Sequence, residues 1–139
     1  MEIRPARPED RDAVVRIWRR AVEATHPFLT PADVDALEAE VRAIPLEILV
    51  ARDPGPVGWI ATYEDRIEAL FVDPEVHGRG VGTALLATTS ATHVDVNEQN
   101  PSGRAFYAAR GFVPVGRSEL DGEGRPFPLL HLRREVGPG

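Results

Sequence analysis

Apolar positions along this chain change period several times, and each change marks an element. Ile3 to Ala6 reads as a short first strand, after which Pro8-Glu9-Asp10 supplies a helix start with acid in its first turn. Ala13, Val14, Ile17, Trp18, Ala21 and Val22 then recur at helical spacing. Thr25-His26-Pro27-Phe28-Leu29 interrupts that pattern, and Thr30-Pro31-Ala32-Asp33 combines an N-cap, a proline at N1 and a capping-box acid. Val34, Leu37, Val41 and Ile44 line one face of a second helix, which Pro45 stops.

The period then shortens to that of strands. Leu46 to Ala51 and Val57 to Tyr63 flank the turn-forming Asp53-Pro54-Gly55-Pro56 and predict an antiparallel hairpin, and Glu64-Asp65 turns the chain again into Arg66 to Val72. A glycine-rich loop follows, then a helix predicted from Gly82 to about Ala91, although Thr88-Thr89-Ser90-Ala91-Thr92 holds mostly poor helix formers. His93 to Val96 is a short strand and Ser102 to Arg110 a short helix ended by Gly111. Phe112 to Leu120 and Phe127 to Leu132 predict a closing hairpin around Asp121-Gly122-Glu123-Gly124. The order β, α, α, three strands, α, β, α, β, β predicts a mixed α+β or α/β domain rather than a doubly wound sheet.

Composition narrows the class. With 139 residues, 42% hydrophobic and 27% charged, and no repeat or linker, residues 1–139 read as a single domain. Apolar runs are short and Met1-Glu2-Ile3-Arg4 has neither a basic nor an apolar leader region, so a soluble, cytoplasmic protein without a membrane partner is expected. The chain has no cysteine, which excludes disulfides, thiolate metal sites and a thiol nucleophile. All 16 basic residues are arginine, so Schiff-base chemistry and the lysine of a P-loop nucleotidase are excluded as well. A net charge of -6 argues against a nucleic-acid partner and leans toward a cationic or neutral substrate. The four histidines, at positions 26, 77, 93 and 131, lack metal-ligand spacing, so no metal is expected.

The sharpest chemical signal runs from Val72 to Leu86, where an apolar strand end, a loop with Gly78, Gly80 and Gly82, and an amphipathic helix follow one another. Glycine lets backbone approach a ligand closely, and the unpaired amides of a first helical turn favour an anion, so a diphosphate is the expected guest. A dinucleotide-binding domain shares these elements but wants Gly-x-Gly-x-x-Gly early in a βαβ unit, whereas the spacing here is Gly-x-Gly-x-Gly at mid-chain.

His77-Gly78-Arg79-Gly80-Val81-Gly82 resembles the acetyl-coenzyme A motif of the GNAT N-acetyltransferase superfamily, Gln/Arg-x-x-Gly-x-Gly/Ala, with His77 in the first position and Arg79 as a cation at the rim. Asn97 to Phe112, which contains Asn100, Phe106-Tyr107 and Gly111-Phe112, resembles that superfamily's Asn-x-x-Ala-x-x-Phe-Tyr-x-x-x-Gly-Phe block, with Gly103 for the usual alanine. Ile17-Trp18, Ala24 to Leu29, Val96 to Asn100 and Val115 to Ser118 extend the likeness to the bacterial YjaB-type branch over nearly the whole chain. In that comparison the segment between the glycine loop and Asn97 is shorter here, which trims the helix behind the loop.

The resemblance implies a GNAT-like fold: one central, mixed but mostly antiparallel sheet of six to seven strands with four helices and a splayed strand pair. It implies acetyl-CoA as donor, held by Leu70, Phe71, Val72, His77, Gly78, Arg79, Gly80, Val81, Gly82, Thr83, Asn100, Phe106 and Tyr107. It also implies a main-chain amide near Phe71 or Val72 that polarises the acetyl carbonyl, Asn100 on the pantetheine arm, and Tyr107 as the acid that protonates the departing thiolate. Trp18, His26, Phe28 and Asn97 border the acceptor in this reading. The activity implied is N-acetyl transfer to a primary amine, small molecule or protein lysine, by direct attack; the alternative is an acetyl-CoA sensor without turnover.

An ammonium must lose a proton before it attacks, and Glu68 and His26 are the candidate bases. Strict alternation puts Glu68, Leu70 and Val72 on one strand face and Ile67, Ala69 and Phe71 on the other, and leaves open which face meets substrate. Bland readings stand beside these: Trp18 and Phe28 as core residues, Tyr107 as a packed aromatic, Asn100 as a helix cap, Asn97 as a strand end, His26 as a satisfied loop residue and Glu68 as a solvated strand position. Monomer and homodimer are both open, with Phe127-Pro128-Leu129-Leu130 as a candidate interface.

Overall fold

The computed structural model describes residues 1–135. Its strands are β1 (Glu2–Pro5), β2 (Ile48–Arg52), β3 (Pro56–Tyr63), β4 (Arg66–Val72), β5 (His93–Asn97), β6 (Val113–Ser118) and β7 (Leu129–Arg133). Its α-helices are α1 (Arg11–Thr25), α2 (Pro31–Arg42), α3 (Val81–Leu86) and α4 (Pro101–Ala109). The strands form one sheet in the order β1-β2-β3-β4-β5-β7-β6, antiparallel throughout except between β4 and β5. That parallel pair holds only at Arg66 opposite His93 and Ile67 opposite Val94, so the two strands part beyond Ile67 and open the sheet at its centre.

Strand β3 builds a core on each sheet face, its side chains alternating from Trp59 to Ala61 and breaking step at Val57, which a bulge opposite Ala51 and Arg52 leaves as an extra residue. Trp59 and Ala61 pack under α1 and α2 with Val14, Ile17, Trp18 and Val41, while Val57 and Ile60 pack under α3 and α4 with Val81, Leu85, Tyr107 and Phe112. Trp59 is fully buried and its indole Nε1 donates to Val14 O at 3.0 Å, so the polar end of the largest core side chain is satisfied. At the start of α2 the expected capping box is formed: Asp33 N donates to Thr30 Oγ1 at 3.1 Å and Thr30 N to Asp33 Oδ2 at 3.0 Å.

Three local expectations need correction. Helix α3 stops at Leu86 instead of running to Ala91, because Thr88 turns its hydroxyl onto Leu85 O at 2.6 Å and Thr89 Oγ1 accepts from Ala91 N at 3.1 Å. Those side-chain bonds compete with the helical ladder. The closing hairpin has shorter arms than predicted, since Asp121 Oδ1 gathers the amides of Glu123 and Arg125 at 2.9 and 2.8 Å into a compact loop.

The third correction bears on chemistry. Ala61 pairs with Ala69 but its neighbour Thr62 pairs with Ile67, which leaves Glu68 as an extra residue, a β-bulge. The bulge breaks alternation: Ile67 joins Leu70 and Val72 on the α3/α4 side, while Ala69 and Phe71 lie on the α1/α2 side. Glu68 occupies the kink, at the point where β4 leaves β5.

Candidate active site

The opening between β4 and β5 continues into a cleft of about 720 Å³, bounded by β4, the glycine loop, the start of α3, β5 and α4. One wall is made of backbone. Gly78 and Gly80 have φ of 83° and 80°, in the left-handed region that L side chains avoid, and a Cβ at either would meet open space. Their constraint is therefore conformational. Ala84 N reaches Gly80 O at 2.9 Å, and the amides of the turn before it have no main-chain partner among the described residues, which suits an anion. Gly82 is constrained by space instead: a Cβ there would lie 3.0 Å from Phe106 Cε1 and 3.6 Å from Val72 Cγ2.

Arg110 closes this end and was not singled out from sequence. Its guanidinium lies 3.9 Å above the centre of the Phe106 ring, Nη1 donates to Phe106 O at 2.8 Å and Nε to Thr83 Oγ1 at 3.1 Å. It ties α4 to the first turn of α3 and brings a fixed cation to the cleft lining. The signal in the sequence was its i, i+4 spacing from Phe106 on a predicted helix.

Asn100 caps α4, accepting from Gly103 N and Ser102 Oγ at 3.0 Å each, and also lines the cleft. Tyr107 lies two turns beyond that cap in the same helix, 7% exposed, edge-on to Phe106 and Phe112 at 5.1 and 5.2 Å. Burial pushes its phenol well above the usual tyrosine value, so it holds its proton. Among the described residues no protein group hydrogen-bonds that hydroxyl, and no side-chain oxygen is buried without a partner, so the hydroxyl opens on the cleft it lines.

On the other wall, His26 ends α1. Thr25 Oγ1 donates to Ala21 O at 2.8 Å and so must accept from His26 Nδ1, 2.6 Å away, which leaves Nε2 as the free lone pair of a neutral ring. Burial lowers the His26 pKa below the ordinary histidine value and favours that neutral form. The ring packs tilted against Phe28 at 5.3 Å and Phe28 against Phe127 at 5.5 Å, joining the α1–α2 loop to the β6–β7 loop. Arg125 Nη2 to Glu40 Oε1, 3.2 Å, fastens the same β6–β7 loop to α2. Phe127 was expected only as an interface residue, because its partner is distant in sequence.

Glu68, Leu70, Phe71, Val72, His77, Thr83 and Asn97 all line the cleft beside His26, Asn100, Phe106 and Tyr107. Thr83 does so with its hydroxyl engaged by Arg110, and Asn97 with Oδ1 accepting from Gln99 N at 2.8 Å. Val81 contributes backbone, its side chain being 4% exposed in the core. Trp18, also 4% exposed, sits under the sheet away from the cleft, and Arg79 and Phe28 are outside its lining.

Residues 45–114 match the Acetyltransferase (GNAT) domain family. The chain belongs to the GNAT acetyltransferases. It is 39% identical to peptidyl-lysine N-acetyltransferase YjaB of Salmonella typhimurium over 95% of its length and 97% of that protein, and 40% identical to YjaB of Escherichia coli over 95% of each. The solution structure of apo-form YjaB from Escherichia coli superposes with a TM-score of 0.86 at 38% identity, covering 98% of both chains. PaiA N-acetyltransferase of Thermoplasma acidophilum in complex with coenzyme A, 17% identical, shares the fold over 96% of this chain and 98% of its own, with a TM-score of 0.72. This GNAT chain is thus an acyltransferase with acetyl-CoA as donor. The open glycine cradle and the parted strands fit that donor, an anion followed by a long narrow arm.

Proposed function

We propose that this acetyltransferase modifies lysine side chains of proteins, with Tyr107 as general acid and Glu68 as the base nearest the amine. Acetyl-CoA supplies the activated acetyl group. The amides of the glycine loop and first turn of α3 hold its diphosphate, Arg110 adds charge beside them, Asn100 and the freed edge of β4 take the pantetheine arm, and a main-chain N–H near Phe71 or Val72 faces the carbonyl.

Proton bookkeeping sets the side-chain roles. A lysine ammonium, with a pKa of about 10.4, is unreactive until deprotonated. Glu68, turned out of the strand by the bulge, takes that proton directly or through one water, and neutral His26 offers Nε2 as a second acceptor on the same cleft. Tyr107 keeps its proton at neutral pH and gives it to the thiolate as the thiol departs. Phe28 and Phe127, packed behind His26 just outside the cleft lining, brace that ring beside the path of a long amine.

The observation that carries this reading is the pairing of an undissociated tyrosine hydroxyl with a bulge carboxylate on one cleft. Similarity to two peptidyl-lysine N-acetyltransferases supports lysine as acceptor. The test is thiol release from acetyl-CoA with a lysine peptide, an amino-terminal amine peptide and free polyamine, the product located by mass spectrometry. Acetylation of the ε-amine is expected. Tight coenzyme binding with no transfer to any amine would favour a sensor.

A further inference from the structure

Beyond the cleft, a chain of four side-chain contacts crosses four strands of the sheet and ends at Glu68. Ser118 Oγ lies 2.6 Å from His131 Nε2, His131 Nδ1 lies 2.7 Å from Asp95 Oδ1, Arg66 Nη2 donates to Asp95 Oδ2 at 2.9 Å, and Arg66 Nε stands 3.6 Å from Glu68 Oε1. All of these belong to the sheet face that α1 and α2 leave uncovered beyond β4, opposite Val94, Val96, Leu130 and Leu132, which pack toward α4. Asp95 and Glu68 themselves line the cleft.

The local backbone is shaped to seat His131. Pro114 pairs with Leu132 but Gly116 pairs with His131, so Val115 is a further bulge, which places Gly116 and Ser118 on the imidazole's face. A Cβ on Gly116 would come 3.3 Å from His131 Cδ2, a tight approach that glycine avoids. With the ring proton on Nδ1 turned to Asp95, Nε2 can accept from the Ser118 hydroxyl, so one tautomer satisfies both contacts. The Ser-His-Asp order resembles a hydrolytic triad, but Asp95 is shared with Arg66, which makes the array an anchor for that arginine.

Arg66 has two carboxylates within reach, and the division decides how far the Glu68 carboxylate is engaged. A guanidinium fully paired with Glu68 would stabilise its charged form and weaken it as a proton acceptor. The observed arrangement gives Arg66 a direct bond to Asp95 and only a loose one to Glu68.

We propose that His131 is a positioning residue for acetyl transfer: it fixes Asp95 so that Asp95 holds Arg66 away from Glu68 and leaves the Glu68 carboxylate free for the acceptor's ammonium. The inference rests on the reading of Glu68 as base. It gives a role in catalysis to Asp95, Arg66 and His131, none of which touches the reacting atoms.

A double-mutant cycle on the full chain tests it, with kcat, the KM of acetyl-CoA and the melting temperature measured for each variant. His131→Ala is expected to lower kcat about tenfold, the scale of a small misplacement at a reacting group, with the KM of acetyl-CoA unchanged. His131→Asn, whose side-chain amide can donate to Asp95, should restore most of the rate. Asp95→Asn, which keeps the shape and removes the carboxylate charge that holds Arg66, should reproduce the loss and serves where His131→Ala fails to fold. In the Glu68→Gln background, His131→Ala should have no further effect. Wild-type kcat in both His131→Ala and Asp95→Asn, or losses that multiply with Glu68→Gln, would overturn the proposal. Should Glu68→Gln alone keep the wild-type rate, the base assignment falls and takes the positioning role with it; a slow Glu68→Gln beside a fast His131→Ala removes only the positioning role.

Discussion

The two walls of the cleft are built from different materials. The wall proposed for the donor is backbone: glycines at positive φ, amides at the start of α3 and a strand edge where β5 departs, both without a main-chain partner among the described residues. The wall proposed for the acceptor is side chains brought from far apart, His26 from the end of α1 and Glu68 from a bulge, with Phe28 of the α1–α2 loop and Phe127 of the β6–β7 loop packed behind His26 outside the lining. Backbone recognises what all acetyl-CoA donors share, whereas side chains choose among amines. Changes on one wall should therefore leave the constants of the other untouched, and that separation can be attacked directly.

The largest expected breach on the donor wall is Gly80→Val. A β-branched side chain at φ of 80° costs about 2 kcal/mol of backbone strain or else deforms the loop, which is roughly thirtyfold in acetyl-CoA affinity. Calorimetry with coenzyme A should show that loss, with the KM of the amine unchanged. A comparable shift in the amine constant would mean that the walls are coupled.

A smaller effect is expected across the walls' outer clasp. Phe28→Ala and Phe127→Ala each remove one ring of the 5.5 Å pair, worth about 1 kcal/mol beyond area, so each should raise the amine KM severalfold and the double variant little more than either single one. Steady-state kinetics with a lysine peptide checks this. Additive losses would show that the rings act separately.

The smallest effect is on stability. His26 has a folded pKa below the ordinary 6.5, so the unfolded chain gains a proton near that pH while the folded chain does not. Stability contributed by neutral His26 is therefore complete above pH 6.5 and is lost as pH falls toward the folded value. Melting temperatures of wild type and His26→Gln between pH 5 and 8 should converge on acidification, because the variant lacks this loss.

The same contrast explains what could be read from the chain alone. Helical spacing in α1, the Thr30–Asp33 box and the strand runs of β2 to β4 were legible because each is a local pattern. The glycine spacing and the Asn100–Tyr107 block were legible too, each in one short stretch, and the structure brings both to one cleft. The acceptor wall was not legible. The Glu68 bulge is a property of pairing between β3 and β4, and strict alternation assigned Ile67 to the wrong face. Phe28 meets Phe127, and His131 meets Asp95, only through the sheet order β5-β7-β6. Trp18, equally at home in a core or a pocket by its period, is core.

The claim that joins both walls is that Tyr107 delivers a proton to the departing thiol. Its most direct test is single-turnover acetyl transfer by Tyr107→Phe, alongside calorimetric binding of coenzyme A. Loss of about 100-fold in the transfer rate with unchanged coenzyme affinity is the predicted result. Full-rate transfer with the wild-type pH dependence would contradict it.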